Sequence, residues 1–208
     1  MKQNNNVLVI GLTGTIASGK STVSRYLSRK YQAVHIDADL VAREVVQDEA
    51  ERLSEVFGKE ILAKDGMIDR KALGQIVFNS PEALEKLNQM VHPETVERIA
   101  EIIGQIRQND SCESHGETRI VVVEAIELLR SGLKDIVDTV WVVYADPQIR
   151  KARMMEDRRL SEQEADDRIA SQWDDETYRA RADRIIESTG GSVSLLYDQV
   201  DQALRSCL

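Results

Sequence analysis

Cysteine and aromatic residues are scarce in this chain of 208 residues. Its two cysteines, Cys112 and Cys207, lie far apart and match no ligand spacing, which excludes a zinc knuckle or a disulfide framework. Aromatic residues make up only 4% of the chain, so the stacking platforms of single-strand nucleic-acid binders are missing. We expect both thiols to be reduced, as in a cytoplasmic protein.

Long apolar runs are also missing. The longest near the start, at residues 7–12, is far shorter than the ~20 residues of a membrane span, and no basic segment with a cleavage site accompanies it. The chain has 27 Lys and Arg against 36 Asp and Glu, which gives a net charge of -9. This charge excludes a surface that is basic as a whole and that would attract nucleic acid or anionic lipid. We expect an acidic, globular, cytoplasmic protein with no nucleic-acid or membrane partner.

Short apolar runs predict five β-strands that alternate with helical segments. The runs lie at residues 7–10, 33–36, 119–124 and 139–144, with a weaker one at 184–186. Such alternation is typical of βαβ crossovers, and hence of a parallel sheet with helices on both faces. A chain of this length is sufficient for one α/β domain with an insertion.

A helical insertion is predicted between the second and third strands. Apolar residues recur there at helical spacing, and His92-Pro93 marks a break between two helical segments. We assign the insertion to residues 40–107. The polar, glycine-containing stretch 109–118 predicts an exposed and mobile loop.

A second helical segment, rich in arginine, is predicted after the fourth strand, over residues 147–182. Pro147 opens its first helix, and Ser161 with Glu164 forms a capping box for the next. A final amphipathic helix is predicted from the spacing of Val193, Leu196, Val200 and Leu204.

The strongest functional signal directly follows the first strand. Residues 14–21 read GTIASGKS and fit G-x-x-x-x-G-K-[ST], the phosphate-binding loop, between a predicted strand and a predicted helix. Glycines let successive backbone N–H groups point into one concavity at the positive end of a helix, where phosphate oxygens bind. The spacing predicts that Lys20 reaches the β and γ phosphates of ATP and that the Ser21 hydroxyl ligates Mg²⁺. The remaining predicted phosphate ligands are Gly14, Ala17, Ser18, Gly19 and Thr22, the last through its N–H and hydroxyl.

Two carboxylates follow the second strand, at the sheet edge where parallel α/β sheets bind ligands. An acceptor hydroxyl needs a carboxylate that orients it and takes its proton. Alternation would send Asp37 and Asp39 the same way if the strand continues through both. We expect Asp39 to bind and deprotonate the acceptor. For Asp37 we expect an acceptor contact, a contact to magnesium-bound water, or a structural role such as capping the helix near Leu40.

The second helical segment, residues 147–182, is rich in arginine, and most of these arginines are expected on a solvent-exposed helix face. An arginine-bearing lid can neutralise a transferring phosphoryl group and expel water. We select Arg153 and Arg158 as catalytic candidates. Structural roles are expected for His35, His115, Trp141 and Trp173, and for most of the other arginines, which are Arg150, Arg159, Arg168, Arg179 and Arg181.

These residues predict a phosphotransferase with a phosphate-binding loop and leave its acceptor open. One alternative is a nucleoside or nucleotide kinase with a smaller acceptor, and another is a nucleotide-dependent switch protein. The long strandless insertion favours a long acceptor. The Asp-x-x-Gly and Asn-Lys-x-Asp signatures of guanine-nucleotide switches are not visible in the sequence.

Longer stretches resemble the dephospho-coenzyme A kinase family along nearly the whole chain. They read GLTGTIASGKSTVSRYL, HIDADLVAREVV, IDRKALGQIVFNSPEALEKLNQMVHP, RLSEQEADDRIASQ and RARADRIIE. The resemblance implies a P-loop kinase fold with a helical insertion and a lid. It also implies transfer of the ATP γ-phosphate, with Mg²⁺, to the ribose 3′-hydroxyl of dephospho-coenzyme A, the last step of coenzyme A synthesis.

The resemblance further implies roles for segments and residues. Residues 17–22 would bind the ATP phosphates, Asp39 would be the acceptor-side carboxylate, and Arg70 and His92 would contact the acceptor. The insertion would bind the coenzyme portion, and residues 147–182 would form the lid of a single kinase domain over residues 1–208. We expect a monomer or a weak homo-oligomer.

The chain differs from the family's usual pattern in three places. Residues 126–130 read IELLR where the family usually shows PLLFE, and Glu127 is a candidate to compensate. The family's lid usually has an arginine a few residues before a Leu-Ser step, and in this sequence that position is either Asp157 or Arg158. Ser188 stands where the family often has asparagine.

Overall fold

The structure is a computed structural model that describes residues 6–113, 118–189 and 191–208, without the side chains of residues 110–113 and 158. The chain divides into two compact units. Unit 1 takes in the chain up to Ile36 and from Ile103 onward, and unit 2 runs from Asp37 to Ile102. None of the helices in the described ranges combines the length and the apolar character that crossing a membrane requires.

Five strands form one sheet: β1 (Val7–Thr13), β2 (Val34–Asp37), β3 (Arg119–Glu124), β4 (Thr139–Tyr144) and β5 (Arg184–Glu187). Their order across the sheet is β2-β3-β1-β4-β5. The pairings of β1 with β3, β1 with β4, and β4 with β5 are parallel. The predicted five-stranded parallel sheet is thereby confirmed, with β3 and β4 at the predicted bounds and β1 extended to Thr13.

The core of unit 1 lies between this sheet and two helices, α1 (Lys20–Tyr31) and α9 (Val193–Arg205). Leu27 of α1 and Val200 of α9 are shielded from solvent against the same core as Ile10, Val122 and Trp141 of the strands. Burial of one such aliphatic side chain stabilises the fold by roughly 1.5–3 kcal/mol. This burial explains why the strands are apolar along their whole length.

Three further helices of unit 1 follow β4: α6 (Pro147–Arg158), α7 (Glu162–Ala170) and α8 (Asp175–Arg179). The predicted capping box is confirmed, because the Ser161 hydroxyl accepts from the Glu164 N–H and the Glu164 carboxylate accepts from the Ser161 N–H. Helix α8 was not predicted, since five residues are too few to show a helical period. A short 3₁₀ turn, Leu133–Ile136, precedes β4.

Unit 2 is helical, as predicted for the insertion. It contains α2 (Ala38–Asp48), α3 (Ala50–Phe57), α4 (Arg70–Phe78) and the first part of α5 (Pro81–Glu113). Its own core is apolar and consists of Leu53, Phe57, Ile61, Ile68, Leu73 and Val77. The bounds predicted for the insertion, residues 40–107, stay a prediction.

The predicted helix break beside Pro93 is wrong, because α5 runs through this residue. A proline removes one helical N–H and crowds the preceding turn. However, Val91 and Ile99 are buried on either side of it, and the Thr95 hydroxyl donates to the Val91 carbonyl at 2.7 Å. Continued burial of the apolar face therefore outweighs the local cost of the proline.

Two other boundaries differ from the predictions. Helix α5 continues to Glu113, so the loop predicted over residues 109–118 is wrong for its first half. Residues 114–117, which include His115, lie outside the described residues. Val193 is 53% exposed as the first residue of α9, so it does not share the buried face of that helix.

Candidate active site

The glycine-rich motif forms the connection between β1 and α1. Gly14 has φ +143° and Gly19 has φ +105°, conformations that residues with a side chain disfavour. A Cβ atom on Gly14 would collide with the Val143 carbonyl oxygen, and one on Gly19 would lie 3.0 Å from the Ser188 hydroxyl. Both glycines are required because the loop backbone packs directly on β4 and on the segment after β5.

The tip of the loop is a tight turn. The Ser18 N–H donates to the Thr15 carbonyl at 3.2 Å, and Ala17 adopts a left-handed φ of 58°, which is uncommon for a residue with a Cβ atom. Among the side chains that the structure describes, none caps the amino terminus of α1 at Gly19. The positive end of this helix is therefore directed at whatever the loop binds, and phosphate is the group that such ends favour.

Lys20 is buried at the start of α1. Its Nζ donates to the Gly14 carbonyl at 2.8 Å and to the Thr15 carbonyl at 3.2 Å. The backbone of the loop thus holds the ammonium group at the loop itself, and its predicted contact to the β and γ phosphates stays a prediction.

Glu124 ends strand β3 and is the centre of a polar cluster. Its carboxylate lies 3.1 Å from the Ser21 hydroxyl, 2.7 Å from the Ser24 hydroxyl and 3.1 Å from Nε2 of His35. Burial raises the pKa of Glu124, but the hydrogen bonds from His35, Ser24 and Ser21 outweigh it and hold this pKa below its usual value. The carboxylate is therefore an anion at neutral pH, beside the predicted metal ligand Ser21.

The sequence reasoning missed Glu124 as a site residue. A signal was present, because an acidic residue ends an apolar strand and parallel strands carry their ligand groups at that end. The order of the strands was not apparent, since β3 is adjacent to β1 in the sheet while β2 follows β1 in the chain.

Thr22 occupies the first turn of α1, as predicted. Its N–H donates to the Gly19 carbonyl at 3.0 Å in this structure, and the contact predicted between this N–H and a phosphate stays a prediction. The contact predicted for its hydroxyl stays a prediction.

Arg153 of α6 contacts the loop directly. One guanidinium nitrogen donates to the carbonyls of Ala17 at 3.0 Å and Ser18 at 3.2 Å. The other donates to the Ser188 carbonyl at 3.2 Å and to its hydroxyl at 3.1 Å. In this structure, the arginine joins the loop to the segment after β5, and its predicted contact to the transferring phosphate stays a prediction.

The other lid candidate, Arg158, is the last residue of α6, and its side chain lies outside the described residues. Arg150 is buried and forms an ion pair with Asp175 at 2.8 Å, which is the structural role expected for it. Arg179 lies over the Tyr144 ring, 4.0 Å from its centroid.

The segment that differs from the family pattern, residues 126–130, ends in Arg130. Its guanidinium lies 3.5 Å from the Glu127 carboxylate and 4.1 Å from the centroid of the Trp173 ring. Arg181 lies over the same ring at 4.9 Å. Trp173 therefore contacts two arginines as well as Tyr178 of α8, in agreement with the packing role expected for it.

Asp37 and Asp39 lie at the start of α2. Asp37 is its N-cap and accepts from the Leu40 N–H at 3.1 Å, while Asp39 is in the first turn. The condition under which strand alternation would send both carboxylates the same way is not met, because β2 ends at Asp37 and the helix begins at Ala38. Asp37 thus has the capping role that was one of the alternatives.

The two remaining candidates also belong to unit 2. Arg70 is the first residue of α4, follows the N-cap Asp69, and is exposed. His92 lies within α5, directly before Pro93. Their predicted contacts to an acceptor stay predictions.

A parallel sheet in this order, with a phosphate-binding loop after its central strand, defines a P-loop protein of the kind that binds nucleoside triphosphates. A family model described as dephospho-CoA kinase matches residues 8–194. The chain belongs to the dephospho-CoA kinase family.

Similar proteins support this assignment. A dephospho-CoA kinase of Moorella thermoacetica is 42% identical over 190 residues, which cover 90% of this chain and 86% of that protein. One from Shouchella clausii is 39% identical over 198 residues, covering 94% and 96%. These relatives match the chain over nearly its whole length.

Solved structures agree with the fold. A Thermus thermophilus protein has a TM-score of 0.76 at 30% identity, covering 96% of this chain and 95% of its own. The dephospho-CoA kinase from Campylobacter jejuni has a TM-score of 0.60 at 28% identity, covering 97% of each chain. A shikimate kinase from Bacteroides thetaiotaomicron, at 14% identity, covers 96% of this chain and 98% of its own with a TM-score of 0.52, and shares the fold alone.

Proposed function

We propose that this protein transfers the γ-phosphoryl group of ATP to the ribose 3′-hydroxyl of dephospho-coenzyme A, giving coenzyme A and ADP. The observation that carries the proposal is a phosphate-binding loop with a buried lysine in a chain that matches the dephospho-CoA kinase model over residues 8–194. The loop supports the nucleotide half of the reaction, and family membership supports the acceptor half.

The loop and Lys20 would bind and orient the triphosphate of ATP. The transition state of phosphoryl transfer spreads negative charge over the γ-phosphoryl oxygens and the leaving β-phosphate. An ammonium group already held at the loop needs little reorganisation when that charge develops. Lys20 is therefore proposed as a catalytic residue.

Ser21 and Glu124 fit a magnesium ion. Mg²⁺ prefers oxygen ligands, and here a hydroxyl and a carboxylate with a lowered pKa are 3.1 Å apart. We assign the ion to these two residues, with Asp37 as a further predicted contact through water. When bound, the ion would neutralise charge on the β and γ phosphates.

Asp39 is proposed as the base for the acceptor. Its carboxylate would accept the proton of the 3′-hydroxyl as that oxygen forms a bond to the γ-phosphorus. The bond between the γ-phosphorus and the β–γ bridging oxygen breaks at the same time, and ADP leaves with the electron pair. The position of Asp39, two residues beyond the carboxyl end of β2, supports this role.

The remaining predictions complete the proposal. Unit 2 would bind the coenzyme portion, with Arg70 and His92 as contacts, and residues 147–182 would act as the lid through Arg153 or Arg158. ATP and dephospho-coenzyme A are the proposed partners, without nucleic acid. A cytoplasmic location and a monomeric or weakly oligomeric state are predicted from the sequence.

A panel of hydroxyl acceptors tests the proposal. ADP formation is measured with MgATP and dephospho-coenzyme A, adenosine, AMP or shikimate. We expect kcat/KM to be highest for dephospho-coenzyme A and ADP formation without an acceptor to be slow. A higher kcat/KM for a nucleoside would favour a kinase with a smaller acceptor, and acceptor-independent hydrolysis at the full rate would favour a switch protein.

A further inference from the structure

The side chain of Gln172 contacts the phosphate-binding loop from outside the motif. Its Oε1 accepts a hydrogen bond from the Ile16 N–H at 2.7 Å, although the two residues are 156 positions apart in the sequence. Both belong to unit 1. We infer that Gln172 is a positioning residue that holds the loop in the shape that binds ATP; this role rests on the proposed function.

The backbone around Gln172 is fixed from both sides. Ser171 ends α7, and its N–H donates to the Asp167 carbonyl at 3.0 Å. Asp174 is the N-cap of α8 and accepts from the Thr177 N–H at 2.7 Å. The two helix termini leave a short connection from which the glutamine side chain extends in a defined direction.

The neighbouring side chain further restrains this connection. Trp173 has Arg130 at 4.1 Å and Arg181 at 4.9 Å from its ring centroid. Arg130 belongs to the segment after β3, so the connection between α7 and α8 is attached to a second part of unit 1. Gln172 therefore contacts the loop from a connection that itself packs against the segment after β3.

Arg153 and Gln172 contact adjacent parts of the loop, Arg153 as a hydrogen-bond donor and Gln172 as a hydrogen-bond acceptor. Gln172 accepts from the N–H of Ile16, and Arg153 donates to the carbonyls of Ala17 and Ser18. Ala17, between the two contacts, has the uncommon left-handed φ. A turn of this conformation needs support from its surroundings. Support that is present before ATP binds reduces the ordering cost of binding.

The Gln172→Met variant keeps the length of the side chain and removes the acceptor oxygen. We expect the Kd for MgATP and the KM for ATP to rise about fivefold, the equilibrium effect of one neutral hydrogen bond. The KM for dephospho-coenzyme A and kcat should change little. A residue with a merely structural role would instead lower stability without this separation of the two KM values.

Amide hydrogen exchange of the nucleotide-free protein, measured by NMR, tests the contact without any activity. The Ile16 amide should exchange slowly in the wild type and in Gln172→Glu, which keeps an acceptor oxygen, and faster in Gln172→Met. Gln47→Met is the matched control, because Gln47 Oε1 accepts from the Ile68 N–H at 3.0 Å in unit 2. This control should expose the Ile68 amide and leave the Ile16 amide and the Kd for MgATP unchanged.

Faster exchange at Ile16 together with a raised Kd for MgATP in Gln172→Met alone supports the inference. Unchanged exchange at Ile16, or an unchanged Kd for MgATP, overturns it. Both readouts are independent of the acceptor. A protein that phosphorylates a different acceptor would therefore refute the proposed function without affecting this result.

Discussion

The Ser21 hydroxyl and the Glu124 carboxylate lie 3.1 Å apart, although 103 residues separate them in the sequence. One residue follows β1 and the other ends β3, so the adjacency of these two strands creates the pair. Glu124→Gln keeps the shape of the side chain and removes its charge. We expect turnover to fall by roughly 10²–10³ and the Mg²⁺ requirement to rise, measured as kcat against Mg²⁺ concentration.

Glu127→Gln is the control for this variant. Glu127 lies three residues further along the chain and pairs with Arg130 at 3.5 Å. Its loss should leave the Mg²⁺ dependence unchanged. If Glu124→Gln stayed within about threefold of the wild type at every Mg²⁺ concentration, the metal role would be refuted.

Lys20→Ala should abolish transfer, with a loss in kcat of roughly 10²–10³ or more. The reason is that the ammonium group now held by the Gly14 and Thr15 carbonyls is removed from the phosphate site. Initial rates of ADP formation measure the effect. Arg25→Ala, at an exposed position of the same helix, should keep normal rates. Equal rates in both variants would show that Lys20 has no catalytic role.

Asp39→Asn should retain ATP binding and lose about 10²-fold or more in turnover, because an amide cannot take the acceptor proton. Isothermal titration with ATP and initial rates of ADP formation separate binding from catalysis. Glu44→Gln, at an exposed position of the same helix, is the control. Normal turnover in Asp39→Asn would remove the base role.

Asp201 joins helices α1 and α9. Its carboxylate accepts from the Tyr26 and Tyr31 hydroxyls at 2.8 Å each, and from the Lys30 ammonium. Asp201→Asn should lower the free energy of unfolding by about 1.5–3 kcal/mol, because hydrogen bonds to a charged group are lost. Urea denaturation measures this change. Asp198→Asn, at an exposed position of α9, should change it by less than about 0.5 kcal/mol.

The stabilisation by Asp201 should depend on pH with a definite sign. Burial raises the pKa of Asp201, but hydrogen bonds from Lys30, Tyr26 and Tyr31 outweigh it and hold this pKa below its usual value. A carboxyl group of this kind stabilises the fold above its unfolded pKa of about 3.9 and loses that stabilisation as the pH falls through its folded pKa. The difference between wild type and Asp201→Asn should therefore be constant from about pH 7 to 5 and shrink below about pH 4. A difference that grows with acidification would contradict this assignment.

Much of the fold was predictable because its signals are local. The runs at 119–124 and 139–144 became β3 and β4 with the same bounds, and the motif at 14–21 directly follows a strand, as its chemistry requires. At Pro93, a local rule failed because burial of the apolar face of α5 outweighed it. At Asp37, the capping alternative is the one that the structure shows, because β2 ends there and α2 begins at the next residue.

Glu124 and Gln172 were not predicted, for a different reason. Their partners, Ser21 and Ile16, are 103 and 156 residues away, and hydrophobic periodicity does not show which elements become neighbours. Strand order and helix packing, which follow from the whole chain, decide these contacts. The residues within the motif could therefore be predicted from the sequence. The residues that contact the motif from elsewhere in the chain could be identified only from the structure.

Identification of the phosphorylated product tests the central claim most directly. Purified protein is incubated with MgATP and dephospho-coenzyme A, and the product is examined by phosphorus NMR with coupling to the ribose protons. We predict a new phosphomonoester coupled to the 3′ proton, formed in equal amount with ADP. ADP formed without this phosphomonoester, or a phosphate attached at another hydroxyl, would contradict the account.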